Sequence, residues 1–265
     1  MALAARLTDR DREIVCALHE HRVLTVWQLR ELFFDGIERA RKRLAVLHDL
    51  GVVDRFRPHR ERGSHPCHYV LGRHGAMIVA AVQDVPIKEV RFDPVRQLGL
   101  QRSQQLAHLV GVNGFTTSLA HALRTRMPDV GLEWMGQRAC GLEYQDLVRP
   151  DSRLRLTLRH SDLLTAWLEW DRATETHKRL RGKLRRYRDL AYLHAHPVTV
   201  LFVVPSDRRE HHVLDSLNSP PEDVQVLVTT AERHHSDPLA RNWQEPGAAW
   251  RATLPDSITI QPRTR

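Results

Sequence analysis

Residues 163–171 read LLTAWLEWD, a largely apolar run that ends in two acids, and they predict a buried central strand. A strongly basic helix is expected over residues 176–193, and the apolar run VTVLFVV at 198–204 predicts a second buried strand. A further helix around 208–217 and the strand pattern VQVLV at 224–228 come next. Strands that alternate with helices predict a mixed sheet with parallel crossovers, so this part of the chain is of the α/β class.

The residues before this stretch extend the same sheet. Residues 154–158 alternate between apolar and polar side chains and, like residues 131–135, predict a further strand. A long helix over about 103–126 is expected before these two strands. Residues 84–100 contain two prolines and no clear period, so they are expected to form an irregular linker. We therefore expect the second domain to span residues 101–265.

The first third of the chain has a different pattern, in which three short helices come first. Thr8 with Asp11, and Thr25 with Gln28, have the spacing of a capping box, so they predict where the first two helices begin. A third helix is expected to end at Gly51, where a left-handed cap is favoured.

Two strand-like runs, 52–56 and 67–71, follow these helices and are joined by the polar, Arg-rich loop 57–66. Three short helices and a hairpin are typical of a winged helix-turn-helix, whose third helix enters the major groove of DNA. We therefore expect a winged-helix domain over residues 1–83 and a linker over 84–100. The whole chain is expected to be α+β, with an α/β second domain.

The charge of the chain favours a polyanionic partner. The formal net charge is +8 at pH 7, and residues 172–188 alone hold eight Lys or Arg against one Glu, a net charge of +7. We expect double-stranded DNA to contact the third helix, the Arg-rich loop 57–66 and the basic helix over residues 176–193. The expected DNA-binding residues are Arg39, Lys42, Arg43, Arg60, Arg62, Lys178, Arg179 and Arg186. The alternative is that these cations form only solvated faces.

Several classes of protein are disfavoured by the sequence. No run of 18 apolar residues is present, so no membrane span or membrane partner is expected. Three widely spaced cysteines suit the reducing cytoplasm, where we expect this protein. Neither a P-loop nor a Gly-x-Ser-x-Gly motif occurs, which argues against a P-loop ATPase and an α/β-hydrolase.

Three acids at strand ends form the candidate catalytic group. Glu169 and Asp171 are two residues apart, which places them on one face of a strand, and Asp151 is expected to join them from a neighbouring strand. Such oxygen ligands are typical of a site for Mg²⁺ or Mn²⁺, and a metal there activates water and stabilises the charge of a reacting phosphodiester. The alternative is that the three are ordinary surface or sheet-edge acids.

Pro150-Asp151 and Glu169-Trp170-Asp171 resemble the motif of the PD-(D/E)xK nuclease superfamily. The resemblance implies a restriction-endonuclease-like fold for the second domain and catalytic roles for Asp151 and Glu169. The position of the motif lysine holds Asp171. Lys183 on the next helix is the best substitute, because some members carry this lysine there.

A narrower resemblance covers nearly the whole chain. The winged-helix pattern and the order of the motifs at residues 108–113, 150–151, 168–175 and 183–187 are similar to the replication-relaxation family. This resemblance implies maintenance or transfer of plasmid or mobile-element DNA, with replication or conjugation proteins as partners.

Two functions therefore stay open at this stage. The first is a DNA-binding replication or transfer module whose nuclease-like domain is inert, and the second is a metal-dependent DNA nuclease or nickase. The absent motif lysine favours the module, whereas the acids beside a basic helix favour the enzyme. The sequence leaves the oligomeric state open, with a homodimer as one alternative.

Overall fold

The computed structural model describes residues 6–59, 63–158, 162–173 and 175–254. The chain divides into two compact units, residues 1–117 and 118–265. Both are mixtures of helices and strands, which confirms the predicted α+β class. None of the described helices combines the length and apolarity needed to cross a membrane.

The first unit begins with the three predicted helices, α1 (Asp9–His21), α2 (Val26–Phe33) and α3 (Ile37–Asp49). Thr8 and Thr25 both form complete capping boxes, as expected from their spacing. Gly51, just past the end of α3, has φ of +66°, a backbone conformation that favours glycine. These local signals mark the starts of α1 and α2 and the end of α3.

The strands of the first unit form a three-stranded antiparallel sheet in the order β1-β3-β2. The predicted hairpin is β2 (Val53–Phe56) and β3 (His68–Leu71), and the short β1 (Leu24–Thr25) adds to its edge. The next helix, α4 (Arg73–Gln83), packs against α1.

The segment predicted to be an irregular linker has regular structure and belongs to the first unit. It contains a 3-10 turn (Ile87–Val90) and the short helix α5 (Pro94–Gly99), before a second 3-10 turn (Leu100–Arg102). Val90 and Leu100 are buried, and Leu100 packs with β2 and β3 residues. Helices this short show no period in the sequence, which is why the segment reads as irregular. The helix α6 (Leu106–Arg126) spans the division between the units.

The second unit holds a five-stranded mixed sheet in the order β4-β5-β6-β7-β8. The strands are β4 (Val130–Gly136), β5 (Ser152–Leu158), β6 (Asp162–Trp170), β7 (Val198–Val204) and β8 (Val224–Thr230). β4, β5 and β6 pair antiparallel, whereas β6, β7 and β8 pair parallel. The parallel crossovers expected from the alternating strands and helices are therefore present.

The crossover helices are α8 (His177–His194) and α9 (Asp207–Ser216). Two shorter helices that the sequence reading missed, α7 (Gln137–Glu143) and α10 (Ala231–Ser236), follow β4 and β8. Buried side chains of α7, α8 and α9 pack on one face of the sheet, and all seven residues of β7 are buried. The burial of β7 on both faces explains its continuous apolar sequence. The sequence SITI at 257–260 also predicts a short strand, and these residues lie outside the described part of the chain.

Candidate functional site

Glu169 is the centre of a buried polar cluster at the end of β6. Its side chain is 6% exposed and accepts two hydrogen bonds from α8. Lys183 donates to Oε2 from 2.6 Å, and the hydroxyl of Tyr187 donates to Oε1 from 2.6 Å. Because residues four apart share one face of a helix, α8 directs both donors at the same carboxyl group. Lys183 therefore reaches the end of the strand, as a substitute for the motif lysine has to do.

The burial of this cluster changes its protonation. The pKa of Glu169 is raised to about 7, because burial, with the nearby Asp151, raises it by more than Lys183 and Tyr187 lower it. Burial alone would lower the pKa of Lys183, yet contact with Glu169 and Glu175 raises it above its ordinary value. The pKa of Tyr187 is raised by burial and by Glu169. Lys183 and Tyr187 are thus kept protonated, whereas Glu169 is placed to titrate near neutral pH.

Lys183 bridges two carboxylates. Its Nζ lies 2.8 Å from Glu175 Oε1 as well as 2.6 Å from Glu169 Oε2. Both distances are those of charge-assisted hydrogen bonds. Lys183 is therefore positioned at the site, but its positive charge is already paired with acidic side chains of the same chain.

Asp151 lies beside Glu169 and joins the start of β5 to the end of β6. Its Oδ2 accepts a hydrogen bond of 2.8 Å from the backbone N–H of Trp170, and its Oδ1 accepts one of 3.1 Å from Gln137 Nε2. Gln137, the first residue of α7, was missed by sequence reasoning. Only the pairing of Gly136 with Ser152 across β4 and β5 brings it near Asp151, and that register is not visible in the sequence.

Asp171 does not join Asp151 and Glu169 as the sequence predicted. It follows the end of β6, and its side chain, 2% exposed, is bound by Arg209 of α9. The other carboxylate oxygen accepts a hydrogen bond of 2.8 Å from the backbone N–H of Ala173. Within the described part of the chain, no three His, Cys, Asp or Glu side chains are arranged to hold a metal ion. A metal bound by Asp151, Glu169 and Asp171 together would have to displace Arg209 first.

The exposed side of α8 carries the cations that the sequence assigned to DNA. Lys178, Arg179 and Arg186 are all exposed, and none forms an ion pair with a described residue. Arg185 on the same helix is exposed in the same way. The opposite side of α8 is apolar and buried, so the basic residues form a solvent-facing surface on the same helix that directs Lys183 and Tyr187 at Glu169.

The predicted DNA-binding residues of the first unit differ from one another in the structure. Arg39 and Lys42 are exposed on α3, and Arg39 makes a 3.4 Å ion pair with the exposed Asp35. Arg43 was expected beside them, but it binds the buried Asp11 of α1 and the backbone oxygen of Arg6. Burial of the Asp11 carboxylate requires a cation, so Arg43 joins α3 to α1 and is not free for DNA.

The predicted residues Arg60 and Arg62 lie outside the described residues. Their expected role in DNA binding therefore stays a prediction.

Comparison with known proteins identifies one family. The family model for replication-relaxation proteins matches residues 16–201, from α1 to β7, which is more than half of the chain. No curated protein matches this sequence. The match includes both the helices of the first unit and the Glu169 cluster of the second. This chain is therefore a member of the replication-relaxation family.

Proposed function

We propose that this protein binds double-stranded DNA during the replication or transfer of a plasmid or mobile element, and that its nuclease-like site does not cleave DNA. Membership of the replication-relaxation family suggests a role in the replication or relaxation of such elements, with DNA or replication proteins as partners. The finer proposal depends on the charges of α3 and α8 and on the contacts of Asp171 and Lys183.

The observation that carries the proposal is the basic surface of α8. Lys178, Arg179 and Arg186 are exposed cations without ion pairs to described residues, on a helix that has its apolar side buried. Cations in such a row favour a phosphate backbone, because each contact releases condensed counterions. Arg39 and Lys42 on α3 offer a second contact, in keeping with a helix that enters the major groove.

The contacts inside the second unit support a site that does not cleave. Asp171 is 2% exposed and bound to Arg209, whose side chain is 10% exposed. Lys183 is held between Glu169 and Glu175. Breaking a buried ion pair is costly, so these carboxylates are poor ligands for a metal unless the local structure rearranges. We infer that the cluster holds α8, which carries the proposed DNA-binding surface, against the end of β6.

Charge removal on α8 tests the proposal. The variant K178A/R179A/R186A is expected to bind duplex DNA more weakly and to lower the dependence of log Kd on log salt by about 2 to 3, since about 0.9 is lost per phosphate contact. The matched control is R138A/R208A/R241A, which removes three exposed Arg of the second unit that are not on α8. Equal losses in the two variants would show that only total charge matters, and no loss in either would contradict binding through α8.

The second candidate function is a metal-dependent nuclease. It is favoured by one contact, the 2.6 Å distance between Lys183 Nζ and Glu169, because a lysine from the next helix has to reach the strand end in that mechanism. If this candidate holds, Mg²⁺ or Mn²⁺ should raise the unfolding temperature of the wild type but not of Asp151→Ala, since a metal that binds only the folded state stabilises it. An unfolding temperature indifferent to both metals would count against the nuclease.

A further inference from the structure

A cleft of about 660 Å³ lies in the first unit, between α4 and the segment that follows it. Five of its lining residues are largely apolar: Ala76, Met77, Ile87, Phe92 and Pro94. The segment turns at Asp84 and Arg91, both of which have φ of +53°. The volume of the cleft falls within the range of pockets that bind ligands.

The apolar residues in and around this cleft are unusually exposed. Met77 is 57% exposed and Ile87 is 51% exposed, although both line the cleft. Val82, Val95 and Leu98 nearby in the sequence are also exposed, at 50%, 80% and 42%. Single exposed apolar side chains are common, but exposed side chains that line one cleft together, as Met77 and Ile87 do, are typical of an interaction surface.

All the charged residues that line the cleft are basic. Arg73, Lys88 and Arg91 line it together with the apolar residues, and no acid of the described chain lines it. A second copy of this chain would bring the same cations together at a symmetric contact, which is unfavourable. A DNA backbone offers the charge but nothing apolar to cover Met77 and Ile87. The lining instead complements a protein segment that carries both acids and a bulky apolar side chain.

We propose that this cleft docks a segment of a partner protein in which a bulky apolar side chain is flanked by Asp or Glu. The apolar side chain fills the space between Met77 and Ile87, and the acids pair with Arg73, Lys88 and Arg91. The surface gives the first unit a protein-binding role besides the proposed DNA contact of α3.

Selection from a displayed library of random peptides on the full chain tests this docking site. Enriched peptides should contain a bulky apolar residue flanked by acids. Met77→Asp should weaken their binding by about tenfold or more, because it removes an apolar contact and repels the acids. R73E/K88E should weaken binding as well, and an acid at position 73 suits the first turn of α4. All variants replace exposed residues, and their unfolding temperatures are compared with that of the wild type.

The matched control is R138E/L142D on α7, where Arg138 and Leu142 are also exposed. This control should bind the enriched peptides as the wild type does. The proposal is overturned if no peptide is enriched, if the enriched peptides lack acids, or if they bind M77D as well as the wild type. Loss of duplex DNA binding or of self-association in M77D, with peptide binding intact, would assign the cleft to those partners instead.

Discussion

Replacement of Glu169 by glutamine is expected to change how the stability of this protein depends on pH. The pKa of the Glu169 carboxyl is raised from an ordinary value of 4.5 to about 7, because burial and the nearby Asp151 outweigh the opposing effects of Lys183 and Tyr187. Between these two values the folded chain therefore holds a proton that the unfolded chain has lost. The contribution of this group to stability is complete below pH 4.5 and is lost as the pH rises through about 7.

The size of the effect follows from the two pKa values. The interval from 4.5 to about 7 corresponds to about 3 kcal/mol at about 1.4 kcal/mol per pKa unit. The amide introduced by Glu169→Gln keeps the shape of the protonated carboxyl group and does not titrate. The free energy of unfolding of the wild type, minus that of E169Q, should therefore fall by about 3 kcal/mol from about pH 4 to about pH 8.

Urea unfolding at a series of pH values measures this difference directly. Glu222→Gln is the matched control, because Glu222 is an exposed glutamate and its replacement changes the net charge in the same way. A difference between wild type and E169Q that stays constant with pH would refute the raised pKa. A difference that grows with pH would mean that Lys183 holds the carboxylate ionised in spite of its burial.

Two further predictions concern buried ion pairs. Arg209→Met leaves the buried Asp171 without its cation and should lower the free energy of unfolding by about 3 kcal/mol. The control R241M, at an exposed position, should not change it measurably. Equal urea midpoints for these two variants would contradict the role of Arg209. Arg43→Ala should lower the free energy of unfolding by about 2 kcal/mol, because Asp11 is buried and Arg43 is partly buried. Arg39→Ala on the same helix should lower it by less than about 0.5 kcal/mol. If thermal unfolding gives the reverse order, the ion pair of Arg43 with Asp11 does not stabilise the fold.

The elements of this fold were predictable where the signal is local. The capping boxes at Thr8 and Thr25 and the glycine at position 51 are each defined by a few adjacent residues, and all three have the predicted conformation. The apolar run of β7 likewise requires no knowledge of its neighbours, because burial on both faces demands it. Short elements such as α5 and α7 were missed, since one or two turns contain too few residues to show a period.

The partners of the charged residues were not predictable, because they are distant in the sequence. Arg43 is 32 positions from Asp11, and Arg209 is 38 positions from Asp171. A basic residue on a helix reads as a free cation until the packing of another helix places a carboxylate beside it. Lys183 was a partial exception, because its proposed role as the motif lysine required it at the end of β6, where it lies, although its ion pairs with Glu169 and Glu175 were not predicted.

Supercoiled plasmid tests in one measurement the proposals that this protein binds DNA and that it does not cut it. Wild-type protein is added to saturation in Mg²⁺, in Mn²⁺ or in EDTA, and the plasmid is analysed on a gel before and after removal of protein. We expect retarded plasmid before the protein is removed, and unchanged supercoiled plasmid afterwards, in all three conditions. Nicked or linear plasmid that requires the metal and is absent with Asp151→Ala would contradict this expectation.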